Sequence, residues 1–193
     1  MVKRILKEIT KRIMANMDKL NEEEIKEFID NIVKSKNIFI VGAGRSGLVG
    51  RAFAMRLMHL GFNVYVIGET ITPSVKKDDL LIAISGSGRT SSTLSVVETA
   101  KEMGIRIISV TSHKDSPIAK LSDVVVKIPG REEIKSSYNY VSSQLTGEHE
   151  PLTPLGSMFE LSTMLFLDSL IAKLMSILKK REKDLRERHA NLQ

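Results

Sequence analysis

Two glycine-rich segments that carry hydroxyl and basic side chains are the part of the sequence best suited to chemistry. The first, residues 42–47, reads GAGRSG, and the second, residues 85–90, reads SGSGRT; we call them the glycine loop and the hydroxyl loop. Glycine allows consecutive backbone N–H groups to turn toward an anion, and the serine and threonine hydroxyls add further donors. The pattern therefore predicts a cradle for a phosphate monoester. The expected binding residues are Gly44, Arg45, Ser46, Ser85, Gly86, Ser87, Gly88, Arg89 and Thr90.

The two loops also allow other interpretations. Serine and threonine often simply cap helices, and glycine often simply permits a tight turn. GAGRSG matches the G-x-G-x-x-G pattern of dinucleotide-binding loops, and Glu69 follows the second predicted strand, where such proteins place a ribose-binding acid. A chain of 193 residues, however, has no room for a second full mononucleotide-binding half. Three hydroxyls around two glycines exceed what one helix cap needs, so the pattern favours phosphate binding.

From residue 37 onward, short apolar runs alternate with helical segments, which is typical of buried parallel strands in an α/β sheet. The pattern predicts strands at 37–41, 62–67, 80–85, 105–111 and 124–128, and helices at about 46–60, 90–103 and 116–121. Right-handed crossovers then give a five-stranded, doubly wound parallel sheet in the order 2-1-3-4-5. Strands 1 and 3 become neighbours, so the two loops are expected to meet at the topological switch point.

The predicted sheet domain, residues 37–180, is flanked by helical segments and a polar tail within a single domain. Apolar residues recur at helical spacing within 1–36, which predicts an N-terminal helical hairpin that packs on the sheet domain. A long, largely apolar helix is predicted at about 157–180, followed by a tail at 181–193. The segment 129–155 has no clear period, and a loop of that length in a small domain is usually functional or mobile.

The amino-acid composition excludes several kinds of binding partner and favours one cellular compartment. The chain has no cysteine, which removes thiolate nucleophiles, iron–sulfur clusters and disulfides, and suits a reducing, cytoplasmic setting. Its net charge is +6, but much of the excess lies at 179–188, where acidic and basic residues alternate, and only 5% of the residues are aromatic. The apolar stretch 161–178 is interrupted by Asp168 and Lys173. We therefore expect no nucleic-acid partner, no membrane span and no secretion.

Several longer motifs together resemble the sugar isomerase (SIS) domain family. They are GAGRSG, AFAMRLMHLGFNVYVIGE, ISGSGRT, GSMFE and the terminal HANL, and they span nearly the whole chain after the N-terminal helices. The closest resemblance is to the 6-phospho-3-hexuloisomerase branch, whose members commonly end in HANLE, whereas this chain ends in Gln193. The resemblance implies a flavodoxin-like fold and the interconversion of D-arabino-hex-3-ulose 6-phosphate and D-fructose 6-phosphate. It implies no metal or other cofactor, and a homotetramer with active sites built across subunits.

That reaction requires one base and one electrophile. Moving a carbonyl between C3 and C2 removes the C2 proton, passes through a 2,3-enediol(ate) and returns a proton to C3, and a carboxylate can serve as base and then as conjugate acid. Given the resemblance, Glu160 in GSMFE is the expected proton shuttle, with Glu148 and Glu150 as alternatives. Without the resemblance, Glu160 is simply an acid in the first turn of a helix, where it complements the helix dipole.

His189 in the tail is the expected acid or carbonyl polariser, since an imidazole can donate to an enediolate oxygen near neutral pH. The simpler interpretation is a histidine in a mobile terminus. The polar tail is poorly placed to fold back onto its own switch point, so His189 is expected to enter a neighbouring subunit's site. His59, at a helix end, is expected to be structural. The alternative function is a non-catalytic SIS protein that senses a phosphosugar; such sensors normally carry a DNA-binding or effector module.

Overall fold

Five parallel strands form one sheet in the order β2-β1-β3-β4-β5 in the computed structural model, which describes residues 1–130 and 157–191. The strands are β1 (Ile38–Gly42), β2 (Val64–Val66), β3 (Leu80–Ile84), β4 (Arg106–Thr111) and β5 (Val124–Lys127). The predicted order and direction are confirmed. β2 is shorter than predicted because it is an edge strand that pairs with β1 alone, from Val64 to Val66.

Seven helices lie among the described residues. They are α1 (Val2–Met17), α2 (Glu22–Lys34), α3 (Gly44–Leu60), α4 (Ser91–Glu102), α5 (Pro117–Leu121), α6 (Ser157–Ile177) and α7 (Glu182–Arg186). Asn21 caps α2 by accepting hydrogen bonds from the N–H groups of Glu23 and Glu24. Gly61 ends α3 in the left-handed conformation with φ of 103°. The helix predicted at 157–180 ends at Ile177, and α7 was not predicted.

The helices cover both faces of the sheet. Ile38, Ile40 and Ile82 point toward α2, α3 and α6, whereas alternate residues such as Phe39 and Leu81 pack with α4 and α5. Phe28 of α2 is fully buried, with its ring 6.4 Å from that of Phe53 and 6.1 Å from that of Phe166. The N-terminal helices therefore complete the hydrophobic core: α1 contacts α6, and α2 contacts β5.

Burial of α6 explains its apolar sequence. Eleven of its residues are buried, among them Phe166, Leu170 and Leu174. Across the ranges 1–130 and 157–191, no helix has the length and apolar character needed to cross a membrane. Most of the predicted irregular segment 129–155, including Glu148 and Glu150, lies outside the described residues.

Candidate active site at the carboxyl ends of the strands

The glycine loop and the hydroxyl loop lie side by side, because β1 and β3 are paired neighbours. Gly42, the last residue of β1, is in register with Ile84, the last residue of β3. A Cβ atom on Gly42 would lie 3.0 Å from the Ile84 carbonyl oxygen and 3.1 Å from the Gly47 nitrogen. The close approach of the two backbones thus depends on glycine at this position. The loops occupy the switch point, where open α/β sheets bind ligands.

The hydroxyl loop is organised by its own side chains. Ser85 Oγ accepts a hydrogen bond from the Gly88 N–H at 3.2 Å and lies 3.3 Å from Thr90 Oγ1. Ser87 Oγ accepts from the Arg89 N–H at 3.2 Å. Thr90 precedes the first turn of α4, yet its hydroxyl makes no capping hydrogen bond to that helix. The loop therefore collects three hydroxyls and the N-terminus of α4 in one turn, an arrangement suited to a phosphate group.

Gly86 and Gly88 are fixed by the elements around the hydroxyl loop. A Cβ atom on Gly86 would lie 3.0 Å from the ring of Phe159, and one on Gly88, where φ is +61°, would lie 2.0 Å from Ser116 Oγ. The Gly86 carbonyl accepts hydrogen bonds from Thr111 Oγ1 at 3.3 Å and from the backbone N–H of residue 112 at 3.1 Å. The loop is therefore held against the starts of α5 and α6 and the end of β4.

Glu160 connects α6 to the glycine loop. It lies in the first turn of α6, is buried, and accepts a hydrogen bond at Oε2 from Arg45 Nε at 3.1 Å. Its neighbour Phe159 contacts Gly86. A carboxylate, a guanidinium and the hydroxyl loop thus meet at one edge of the sheet, although Arg45 and Glu160 are 115 residues apart in the chain.

His189 is not part of this cluster within the chain. Its ring centroid lies 5.1 Å from that of His59, near the C-terminal end of α3. Since α3 has 17 residues and rises about 1.5 Å per residue, that end is about 24 Å from the glycine loop. The structure therefore separates the two expected catalytic side chains of a single chain, Glu160 and His189.

His59 is buried near the C-terminal end of α3. Burial lowers the pKa of His59, and the neighbouring His189 and Arg56 lower it further. The neutral ring is favoured as a result, so His59 contributes little charge to the helix dipole. The interaction of a charged His59 with the helix dipole, suggested by its position, is therefore weakened; that its role is structural stays a prediction.

Glu69, the ribose-binding acid of the dinucleotide interpretation, already has a partner. Its Oε1 accepts hydrogen bonds from Arg51 Nε at 3.1 Å and from Arg51 Nη2 at 2.8 Å. This pair, in which two nitrogens of Arg51 donate to one oxygen of Glu69, joins α3 to the segment after β2. Among residues 1–130 and 157–191, no three histidine, aspartate or glutamate side chains come together as a metal site would require.

Sequence reasoning missed Phe159, Thr111 and Ser116 as parts of the site. Phe159 belongs to GSMFE, but only the tertiary contact shows that its ring supports the hydroxyl loop. Thr111 ends β4, beside β3, so its position at the same sheet edge was a usable signal. Ser116, the N-cap residue of α5, had only the signal of a serine followed by Pro117.

The fold and the position of the loops place the chain among the doubly wound α/β proteins whose ligands bind at the switch point. Within that class it belongs to the SIS domain family, whose domain matches residues 31–147. A 3-hexulose-6-phosphate isomerase of Methanocaldococcus jannaschii is 42% identical over 184 residues, which cover 95% of this chain and 91% of the relative.

A second relative and a solved structure agree with this assignment. The 3-hexulose-6-phosphate isomerase of Bacillus subtilis is 37% identical over 174 residues, covering 90% of this chain and 89% of the relative. This chain is also similar to a Methanococcus jannaschii protein of known crystal structure, with a TM-score of 0.79. A 3-hexulose-6-phosphate isomerase function was inferred for that protein from its structure. It is 40% identical, and the match covers 97% of this chain and 98% of that one.

Proposed function

We propose that the protein is a 3-hexulose-6-phosphate isomerase, which interconverts D-arabino-hex-3-ulose 6-phosphate and D-fructose 6-phosphate. The observation that carries the proposal is the buried Glu160 carboxylate, paired with Arg45 and adjacent to the hydroxyl loop. Relatives of that name match this chain over nearly its whole length, which favours the enzyme over a phosphosugar sensor. The partner is a small sugar phosphate, and we expect the protein to act in the cytoplasm without a nucleic-acid partner.

The hydroxyl loop binds the phosphate group in this proposal. Ser85, Ser87 and Thr90 supply hydroxyl donors, and the glycines let backbone N–H groups approach the anion. The positive end of the α4 dipole adds to the attraction. Gly44, Ser46 and Arg89 complete the expected contacts. Binding by hydroxyls, backbone N–H groups, a helix end and the Arg89 guanidinium needs no metal.

Glu160 acts as the proton shuttle. Its carboxylate takes the C2 proton of the 3-ketose, the C–H electron pair forms the C2=C3 bond, and the carbonyl pair moves to O3 to give the enediolate. A proton then passes from O2 toward O3, and Glu160 returns its proton to C3 as the carbonyl forms at C2. Burial beside Phe159 keeps the carboxylate away from bulk water. Glu148 and Glu150 are the alternative shuttles.

His189 assists the transfer between O2 and O3 from a neighbouring subunit. In its own chain it lies with His59, far from the glycine loop. The proposal therefore includes a homotetramer whose active sites combine Glu160 of one chain with His189 of another. A histidine is suited to this step because it can donate or accept a proton near neutral pH.

Solvent exchange tests the reaction directly. Fructose 6-phosphate is incubated with the protein in deuterated water, and NMR follows the C–H bonds beside the carbonyl. We expect deuterium at C3, because interconversion with the 3-ketose removes that proton. Exchange at C1 instead would indicate an aldose–ketose isomerase, and tight binding without exchange would indicate a sensor. Either result would contradict the proposal.

Substitution of the shuttle completes the test. Glu160→Gln keeps the shape of the side chain but removes the base, so it should fold, bind fructose 6-phosphate and exchange about 10²–10⁴-fold more slowly. Glu69→Gln is the matched control, because it removes a half-exposed carboxylate that is also paired with an arginine of α3. Near-parent exchange by Glu160→Gln would assign the shuttle to Glu148 or Glu150.

A further inference from the structure

Among the described residues, Arg45 contacts Glu160 through one nitrogen of its guanidinium, Nε. The contact joins Arg45 Nε to Glu160 Oε2, while 58% of the arginine side chain is exposed and only 11% of the glutamate side chain. Within the described residues, Arg45 Nη1 and Nη2 make no hydrogen bond to the protein. A guanidinium carries five N–H donors, so most of the donors of Arg45 have no partner among residues 1–130 and 157–191.

Proton abstraction moves a negative charge past this guanidinium. Before the step the charge is on the Glu160 carboxylate, which accepts from Arg45. After the step Glu160 is a neutral acid and the charge is on the enediolate oxygen of the substrate. If Arg45 kept Glu160 as its only partner, the enediolate charge that develops beside the buried Glu160 would have no counter-charge. A cation within reach of both oxygens stays paired throughout.

We propose that Arg45 is the electrophile of the isomerisation, a catalytic role beyond the binding contact expected from its place in the glycine loop. The inference rests on the proposed function. As the C2 proton moves to Glu160 and the carbonyl electron pair moves to O3, an N–H of Arg45 donates to O3 and stabilises the negative charge that develops there. When the proton returns to C3 and the carbonyl forms at C2, Arg45 pairs with Glu160 again.

The position of Arg45 also separates it from the phosphate contact. Its partner Glu160 must approach C2 and C3, whereas the phosphate is on the oxygen of C6 at the other end of the substrate. The phosphate has its own donors in the hydroxyl loop, together with the side chain of Arg89, which is exposed. The pairing therefore assigns Arg45 to the reacting end of the sugar.

Kinetics of two Arg45 variants test the role. Arg45→Gln should lower kcat about 10²–10³-fold, the usual loss when one donor to a developing oxyanion is removed, and should change KM by less than about threefold. Arg45→Lys should recover part of kcat, because an ammonium supplies charge without the forked donor geometry. Arg51→Gln is the matched control on the same helix and should stay near the parent, since Arg51 pairs with Glu69.

Ligand binding supplies a second readout. A phosphorylated four-carbon hydroxamate, with its carbonyl carbon in place of C3 and its nitrogen in place of C2, imitates the anionic 2,3-enediolate, and calorimetry with Arg45→Gln should show at least about tenfold weaker binding of it. Inorganic phosphate should bind this variant as it binds the parent. Equal losses for both ligands, or a change in KM with kcat intact, would make Arg45 a phosphate contact and overturn the inference. A parent protein that exchanges no proton of fructose 6-phosphate would instead refute the proposed function.

Discussion

The hydroxyl of Thr90 favours the proposed phosphate site over an ordinary helix cap. Thr90 is in the N-cap position of α4, where a threonine normally accepts a hydrogen bond from the helix backbone. It makes no such bond, and its Oγ1 lies 3.3 Å from Ser85 Oγ instead. Each hydroxyl carries one rotatable O–H, so both can turn from each other toward the same anion when it binds.

Removing these hydroxyls should therefore weaken binding more than folding. Ser85→Ala, Ser87→Ala and Thr90→Ala each remove a donor to a charged group, which should cost about 1.5–3 kcal/mol of binding free energy for fructose 6-phosphate. Isothermal titration calorimetry measures the loss. Ser95→Ala, an exposed serine one turn further along α4, serves as control. Unchanged affinity in the triple alanine variant, or loss of turnover on adding EDTA, would show that the loop does not bind phosphate in this way.

His59 should make stability depend on pH. Because burial lowers the pKa of His59 in the folded protein below its ordinary value of 6.5, the ring is neutral in both states at higher pH. As the pH falls below about 6.5, the unfolded chain binds the proton first, so the free energy of unfolding decreases by up to about 1.4 kcal/mol per pH unit. The decrease ends once the pH is below the folded-state pKa.

Urea denaturation at pH 7.5 and pH 5.5 measures this effect. The parent should lose more stability between the two conditions than His59→Gln, which has no ring to titrate. His113→Gln controls for the loss of a histidine elsewhere in the chain. A parent and a His59→Gln variant with equal losses would show that the buried ring does not control the pH dependence.

At the scale of elements, Gly88 joins the hydroxyl loop to α5. A Cβ atom there would overlap Ser116 Oγ, and that oxygen caps α5 by accepting from the Ala119 N–H at 3.3 Å. Gly88→Ala should therefore displace the loop, abolish sugar phosphate binding and lower the free energy of unfolding by about 2–4 kcal/mol, since overlap adds to backbone strain.

Gly104→Ala separates the two contributions. Gly104 also has a positive φ, +72°, but a Cβ atom there would meet nothing within 4 Å. This variant should lose only about 1 kcal/mol and keep full ligand affinity. Thermal denaturation and calorimetry on both variants make the comparison. If Gly88→Ala is no more destabilised than Gly104→Ala, the contact with Ser116 does not exclude a side chain at position 88.

The helices and strands were largely predictable from the sequence, and the places where the prediction was wrong have physical reasons. Continuous apolar runs predict buried parallel strands, and glycines such as Gly61 mark helix ends, so the sheet order followed from topology. β2 is shorter than the predicted strand because it lies at the edge of the sheet and pairs with β1 alone. The helix α7 lies in a charged tail without apolar periodicity; it forms because Asp184 accepts from the Arg181 N–H at 2.7 Å and Leu185 packs on the core.

The site was less predictable than the elements. The two loops could be placed at the switch point because strand order fixes which loops are neighbours. The hydrogen bond between Arg45 and Glu160 could not be predicted from the sequence. It depends on how α6 packs beside α3, and the two residues are 115 positions apart in the chain. Glu160 itself is an ordinary first-turn acid by sequence, and only the family resemblance singled it out.

At the scale of the whole molecule, apolar side chains remain exposed on the helices that support the site. On α3 and α6, which pack against each other, they are Leu48, Met55, Met58, Leu161, Leu165 and Ile177. Leu161 follows Glu160 directly in the chain. Exposed apolar surface on neighbouring helices is typical of a subunit interface, which supports the proposed oligomer.

Assembly should also determine how His189 reaches a site. In its own chain, His189 lies against His59, and the length of α3 separates it from the glycine loop by about 24 Å. If His189 instead serves a neighbour, a variant that lacks residues 189–193 should form the normal oligomer but lose turnover. Glu160→Gln should also be inactive, because each of its sites has His189 but lacks the carboxylate base.

Mixing these two inactive variants makes the prediction specific. In a hybrid oligomer, some sites combine Glu160 from the truncated chain with His189 from the Glu160→Gln chain, so part of the activity should return after subunit exchange. Analytical ultracentrifugation and native mass spectrometry establish that hybrids form. The control mixes the Glu160→Gln chain with a chain that carries both changes, in which no site can have both groups. An active monomer would contradict the shared site, because Glu160 and His189 would then act within one chain. Verified hybrids without activity would also contradict it, because Glu160 of one chain and His189 of another would then not form a working site.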